Sequence, residues 1–361
     1  MGTASTFVIA EAGVNHNGDL GRALEMIRVA ADAGADAVKF QTFTAENLVT
    51  SSAPKAVYQK RNVGGGDTQF EMLRALELPR ASYSQLTKAC TKAGIEFMST
   101  PFDIDNARFL AALPEVKRLK VASGEITNAP LLLEMARSGK PVVLSTGMSS
   151  LDDIKAALGV IAFGYTKPSA EPSSDNFNKA LMSDEGKGAL QTKVSILHCT
   201  SEYPAPPDSI NLRAMKVLSD AFGLPVGLSD HSQGISVPTA AVALGAVIIE
   251  KHFTLDRSLP GPDHEASLTP SELKEMVSAI RTVEQAMGSP EKSPVSAEID
   301  TQTIARKSLV ALKPISPGEK FSAENLGAKR PGGGISPLAY WSYLGRRASR
   351  GYAADELIEP S

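Results

Sequence analysis

At 361 residues, 42% hydrophobic and 21% charged, the chain holds enough apolar material for a large core and is longer than one small domain needs. A net charge of −3 argues against bulk binding to nucleic acid, which needs a basic face to neutralise phosphates, so an anionic ligand has to be held locally. There is no basic leader and no run of about 18 apolar residues, and Cys90 and Cys199 stand far apart, so a cytoplasmic protein with reduced thiols and no membrane partner is expected.

Along the chain, short β-branched apolar runs alternate with amphipathic stretches, and the pair recurs eight times. Strands are expected at 7–13, 37–42, 96–100, 118–123, 141–146, 193–199, 225–230 and 246–252. Helical spacing fills the gaps, as in 20–33, where Ala23, Met26, Ile27 and Ala30 share a face and Asp19 can cap the start. Such alternation specifies parallel strands joined by crossover helices. No Gly-rich dinucleotide fingerprint follows the first strand, so a closed (β/α)8 TIM barrel fits better than an open doubly wound sheet.

Two stretches fall outside the repeat. Residues 45–80 follow the second strand, where a loop covers the strand C-termini, and read as a lid; residues 166–191 follow a helix and read as an insertion on the far face. After a helix at 270–287, a Ser-, Pro- and Glu-rich linker begins. The expected division is a barrel domain at 1–288, a linker at 289–302 and a small turn-rich domain at 303–361. That last part carries a net charge of +4, which leaves −7 for the rest.

In such a barrel, polar residues at strand C-termini share one mouth. That rule gathers Glu11, Lys39, Thr100, Lys120, Ser123, Glu125, Ser145, Tyr203, Ser229, His231, Glu250 and His252. His231 and His252 lie 21 residues apart, one helix-and-strand unit, so two imidazoles can share a divalent metal such as Mn²⁺ or Zn²⁺, or each can simply hydrogen-bond inside the mouth. Lys39 and Lys120 can grip a phosphate or carboxylate or make a Schiff base, and Lys39 can instead form an internal salt bridge with Glu11 or Glu125. Glu11, Glu125 and Asp263 are acid–base candidates, Asp263 on the stiff turn at 260–264.

The stretch Ile9-Ala10-Glu11-Ala12-Gly13-Val14-Asn15-His16-Asn17-Gly18 resembles the sialic acid (N-acetylneuraminate) synthase family, which includes legionaminic acid synthases. The likeness continues in order through Ala37-Val38-Lys39-Phe40-Gln41-Thr42, Ser99-Thr100-Pro101-Phe102, Ser123-Gly124-Glu125, Leu144-Ser145-Thr146-Gly147-Met148, Ser229-Asp230-His231, Glu250-Lys251-His252-Phe253 and Gly261-Pro262-Asp263. The tail at 303–361 is similar to the family's C-terminal antifreeze-like (SAF, β-clip) domain, a small, mostly irregular and β structure.

The resemblance implies a synthase that condenses phosphoenolpyruvate with an N-acylated amino sugar and water, releasing phosphate by C–O cleavage. Lys39, Thr100, Lys120, Ser123, Ser145 and Ser229 would bind phosphoenolpyruvate; His231 and His252 would hold Mn²⁺ or Mg²⁺; Glu11, Glu125, Tyr203 and Asp263 would face the sugar. It further implies a homodimer with a swapped C-terminal domain, in which Arg330 acts on the partner's site. One position departs from the pattern: Ser201 stands where some members have Asn, two residues before the site tyrosine. The first expectation for the acceptor is N-acetylmannosamine, giving N-acetylneuraminate. The alternative is 2,4-diacetamido-2,4,6-trideoxymannose, giving N,N'-diacetyllegionaminate; a metal-dependent pyruvate aldolase, a Schiff-base aldolase and an ice-binding tail rank lower.

Overall fold

The computed structural model describes residues 5–56, 59, 60, 62 and 68–360, in two compact units, Met1–Gly288 and Ser289–Ser361. In the first unit eight strands form one sheet: β1 (Phe7–Gly13), β2 (Ala37–Thr42), β3 (Glu96–Pro101), β4 (Leu119–Val121), β5 (Val142–Ser145), β6 (Val194–Cys199), β7 (Val226–Asp230) and β8 (Ile248–His252). Their order is β3-β2-β1-β8-β7-β6-β5-β4 with every ladder parallel, and the two end strands, β3 and β4, pack against each other. That is the cyclic order of a near-closed TIM-type barrel.

The period-two alternation of a strand explains both faces of this sheet. Val8, Ala10, Val38, Phe40, Phe97, Leu119, Val121, Leu144, Ile196, Leu228 and Ile249 pack outward in one large apolar cluster with the surrounding helices. Ile9, Ala37, Met98, Val143, Leu197 and Ile248 point inward and form a separate apolar floor in the lumen. Two residues further along the same strands stand Glu11, Lys39, Thr100, Ser145, Cys199 and Glu250, so a polar layer lies above the apolar one.

The helices start where local chemistry favours them. Asp19 accepts from Arg22 N–H to open helix Leu20–Asp32, and Ala23, Met26, Ile27 and Ala30 are its buried face. Helix Pro270–Met287 begins with a capping box between Thr269 and Glu272. The fourth strand is shorter than its apolar pattern suggests: only Leu119–Val121 pair, and Ser123–Glu125 turn into a 3₁₀ segment that delivers Asn128 as cap of helix Ala129–Arg137.

Residues 166–191 resolve into two short helices, Ser174–Met182 and Asp184–Lys193, which pack on helix Leu151–Thr166 outside the barrel. They meet at Ser183, whose hydroxyl accepts from Gly186 N–H; a Cβ on Gly186 would sit 1.9 Å from the Ala180 carbonyl oxygen. The described part of the expected lid contains helices Ala45–Leu48 and Gln69–Leu76. Leu76, Leu48, Met72 and Leu73 cluster with Val14, Phe43 and Phe102, residues just past the ends of β1, β2 and β3. Residues 57, 58, 61 and 63–67 of that expected lid lie outside the described residues.

In the second unit, 3₁₀ segment Ser296–Glu298 and helix Ile299–Ala305 precede an antiparallel pair, β9 (Ser308–Ala311) and β10 (Leu326–Lys329). The rest is largely turns around a small core of Leu309, Ala311, Ile315, Phe321, Leu326, Tyr343, Ala348, Tyr352 and Ile358. Part of the stretch expected to be a plain linker is therefore helical.

Candidate active site

The polar layer above the barrel floor is a connected network. Lys39 Nζ lies 2.8 Å from Glu11 Oε2 and donates to Thr100 Oγ1 at 3.1 Å. Lys120 Nζ donates to Ser145 Oγ at 2.7 Å and to the Val121 carbonyl at 3.0 Å. Glu250 joins the two halves: its Oε1 is 3.5 Å from Lys120 Nζ and accepts from Ser229 Oγ at 2.9 Å, and its Oε2 is 3.7 Å from Lys39 Nζ. All these side chains are buried. The internal salt bridge foreseen for Lys39 thus exists, to Glu11 and Glu250 and not to Glu125.

Burial and pairing set the charges. Burial pushes Glu11 up to about 7, against the pull of Lys39. For Glu250 burial acts in the same direction, but Lys120 and Lys39 outweigh it and hold the carboxylate below its usual range. Burial favours the neutral amine at Lys39, yet Glu11 and Glu250 overcome it and raise its pKa; Lys120 is lowered by burial, with Glu250 opposing and Lys39 adding to the shift.

At the next level up stand the histidines, their ring centroids 5.4 Å apart. His231 Nδ1 donates to the Thr200 carbonyl at 2.7 Å, which leaves Nε2 with a free lone pair. Burial and the neighbouring His231 keep His252 neutral, its pKa well below the usual value, and its Nδ1 is buried without a hydrogen-bond partner. At His231 burial disfavours the charged ring, but Cys199, Thr200 and Asp230 outweigh it and raise the pKa, so a bound cation would have to displace that ring's proton. With the Nε2 of His231 and the unpartnered Nδ1 of His252 the pair would offer a divalent ion two nitrogen ligands. Among the described residues no group of three or more His, Cys, Asp and Glu side chains is gathered for a metal, so the pair would leave several positions to water and substrate.

The remaining polar groups rim this centre. Tyr203 lies over His231 with ring centroids 4.1 Å apart and 5.5 Å from His252. Asp263 is buried, and burial lifts its carboxyl to about 6, with His231 close enough to pull it back. Ser123 accepts from Gly147 N–H at 3.0 Å. Gly13, at φ +54, is where β1 bulges beside β2; a Cβ there would come within 3.4 Å of Glu11 Oε1 and of His252 Cε1.

Two expected residues have local hydrogen-bond partners of their own. Glu125 is half-buried on the turn after β4 and accepts from Asn128 Nδ2 at 2.7 Å; burial raises its pKa and Asn128 opposes. Arg330 is exposed in the second unit and donates through Nε to the Ala305 carbonyl. Conversely, the network uses Glu250 as a bridge, a role that its strand-end position signals only once the lysine partners are known. Gln41, also at a strand end, has its Nε2 3.5 Å from Glu11 Oε1.

Comparison with known proteins follows the same lines. A model of the NeuB family matches residues 26–292, and one of the SAF domain matches residues 306–361. The chain is 46% identical over 353 residues to an N,N'-diacetyllegionaminic acid synthase of Campylobacter jejuni, covering 98% of both chains. It is 45% identical to the protein of that name in Legionella pneumophila, over 96% of this chain and 92% of the relative. The crystal structure of an N-acetylneuraminic acid (sialic acid) synthetase from Leptospira borgpetersenii is similar at TM-score 0.66 and 34% identity, covering 82% of this chain and 90% of that one.

Proposed function

The chain belongs to the NeuB family, and on that premise we propose that it is an N,N'-diacetyllegionaminate synthase, condensing phosphoenolpyruvate with 2,4-diacetamido-2,4,6-trideoxymannose and water. The observation that carries the reading is the single mouth in which a histidine pair stands above two lysines bridged by Glu250. The choice of acceptor is supported by 46% and 45% identity to proteins named for the legionaminic product, against 34% to one named for N-acetylneuraminic acid. N-Acetylmannosamine, the first expectation from sequence, becomes the second reading.

In this proposal Lys39 and Lys120, with Thr100, Ser145, Ser229 and Ser123, bind the carboxylate and phosphate of the donor. Their charges offset the negative charge that grows on the departing phosphate in a mouth poor in water. His231 and His252 would hold Mn²⁺ or Mg²⁺, which when bound supplies Lewis-acid polarisation of the open-chain sugar aldehyde. The donor's C3 forms the new bond to that aldehyde, and C2 becomes electron-poor. Glu11 removes a proton from the water that adds to C2, and the C2–O bond to phosphate then breaks with its electron pair leaving on phosphate. Tyr203 and Asp263 orient the acceptor.

The segment 45–80 is the natural site of acceptor choice, since Asn62 donates to the Pro262 carbonyl at 2.6 Å, beside Asp263. A pocket that gives apolar contact to a C6 methyl and not a hydrogen bond to a C6 hydroxyl would separate the two sugars. We extend the proposal to a homodimer in which Arg330 completes the partner's site; exposed apolar side chains in the second unit, Leu338, Trp341 and Ile304, support association. Among the described residues no helix is long and apolar enough to cross a membrane.

The test is phosphate release from phosphoenolpyruvate with the two sugars side by side. At least about a 10-fold higher kcat/KM for the diacetamido sugar is expected, the size that one pocket contact, to the C6 methyl or to the C4 acetamido group, supports. A preference for N-acetylmannosamine would reverse the assignment. Turnover that resists chelation would remove the metal from the site.

A further inference from the structure

We infer that Lys251 and Asp230 are positioning residues for the histidine pair, acting through the backbone on both sides of His231; this rests on the reading above that His231 and His252 hold a divalent ion. Strand parity places these two side chains on the outer face of the sheet, away from the mouth. Ser229 pairs with Glu250 across β7 and β8, and Asp230 with Lys251 one step later, so the second pair shares the face of Leu228 and Ile249. Their side chains are 1% and 0% exposed, and Lys251 Nζ lies 2.6 Å from Asp230 Oδ2. Of the three buried lysines at strand ends, Lys251 alone cannot grip a ligand in the lumen.

The bonds around this pair enclose one residue. Asp230 Oδ1 accepts from Ser232 N–H at 3.0 Å, and Asp230 Oδ2 accepts from Ser232 Oγ at 2.9 Å. Lys251 Nζ also donates to the Ser232 carbonyl. A single ammonium therefore ties the residue before His231 to the residue after it, and it does so from the position immediately before His252. The other ties complete the fixation: the His231 carbonyl accepts from Ala205 N–H at 2.9 Å, and its ring is held by Thr200.

An apolar pair of similar volume would seal this face as well as an ion pair does, often with better stability. What an apolar pair lacks is donors that fix the Ser232 carbonyl and the Asp230 carboxylate in direction. Two imidazoles binding one ion need that directional control, because misplacement of a ligand by a fraction of an ångström weakens the site. The charge pair thus sets the geometry of the ligand turn.

The test titrates Mn²⁺ into the full-length protein, read calorimetrically and by loss of the free-ion paramagnetic resonance signal, with circular dichroism to check folding. Lys251→Met is expected to weaken Mn²⁺ binding about 10- to 100-fold, as loss of an outer-shell partner does. Metal-free binding of phosphoenolpyruvate should stay within about two-fold, because Lys39 and Lys120 face the other side of the sheet. A folded Lys251→Met protein that binds Mn²⁺ like the parent, or one that loses both ligands equally, overturns the inference. Should that variant not fold, Ser232→Ala removes only the hydroxyl link to Asp230; an affinity drop of about three- to ten-fold is expected, and an unchanged affinity overturns the inference. If the parent protein itself takes up no Mn²⁺, it is the metal reading that fails, and this inference with it.

Discussion

Lys39 Nζ lies 2.8 Å from Glu11 Oε2, with both side chains buried at the point where β1 and β2 stand in register. The pair opposes two forces: burial pushes the Glu11 carboxyl up to about 7, and Lys39 draws it down. A base that takes a proton from water must itself be unprotonated, so activity should fall as pH drops through about 7, with a slope of one proton. Glu11 and Glu250 share the cation Lys39 and titrate jointly, so the limb belongs to that pair of carboxylates. Glu11→Gln should lower kcat by about 10²- to 10⁴-fold and remove the acid limb. A kcat–pH profile checks both, and an unchanged limb in Glu11→Gln would assign it to another group.

The two lysines differ in charge environment, and their variants should differ accordingly. Lys39 has Glu11 and Glu250 within ion-pair distance to hold its proton, whereas among the described residues Lys120 has only Glu250 that close, at 3.5 Å. Lys39→Met and Lys120→Met should each raise the KM for phosphoenolpyruvate by about 10- to 100-fold, the worth of one or two charge-assisted hydrogen bonds. Lys39→Met should cost the more stability of the two, since it takes a cation from both Glu11 and Glu250, whereas Lys120→Met takes one from Glu250. Of the two lysines in the mouth, Lys120 has the lowered pKa and is the one to test for Schiff-base chemistry. Borohydride added with pyruvate should leave the intact mass unchanged; a mass gain at Lys120 would favour the covalent aldolase.

Asp263 is held through its loop. Asn17 Nδ2 donates to the Pro260 carbonyl at 2.6 Å, and His264 Nε2 donates to Asn17 Oδ1 at 3.1 Å. Ser267 Oγ donates to the Asp263 carbonyl at 2.6 Å and accepts from Asn15 Nδ2 at 2.9 Å. Asn17 has φ +51, so Asn17→Gly removes the amide without adding backbone strain. This variant should raise the KM for the acceptor sugar by about 10-fold and leave that for phosphoenolpyruvate unchanged, as the proposed role of Asp263 in orienting the sugar requires. Equal loss for both substrates, measured by initial rates, would mean the loop supports the whole mouth.

Much of this was legible in the chain because alternation carries double information. The same pattern that marks 7–13 and 246–252 as strands also decides that Glu11, Glu250 and His252 face the lumen while Ala10 and Lys251 do not. What sequence could not give was which side chains pair from one strand to another. Glu250 acquires meaning only when closure brings β2, β4 and β8 around one lumen, and the ion pair of Lys251 only when β7 and β8 are in register. The fourth strand is shorter than its pattern for a local reason: Val121-Ala122 continues the apolar run, but the chain turns there and places Ser123 against Gly147. The departure at Ser201 was visible but unplaced, and its neighbour is now identified.

Gly147 sits between Ser201 and Ser123, where an added Cβ would lie 2.3 Å from Ser201 Oγ and 2.8 Å from Ser123 Oγ. Neither approach is tolerable, so Gly147→Ala has to displace both hydroxyls or shift the β5 end, which carries Ser145 and its bond to Lys120. The donor site should suffer first: an increase of about 10-fold or more in the KM for phosphoenolpyruvate is expected, with Mn²⁺ affinity little changed. Ser201 tests the cause directly. In the double variant Gly147→Ala, Ser201→Gly the closest obstacle is gone, and part of the donor affinity should return, while Ser123 at 2.8 Å still resists full recovery. No recovery, with both proteins folded and equally stable, would place the damage in the backbone of β5 and not in the crowding of Ser201.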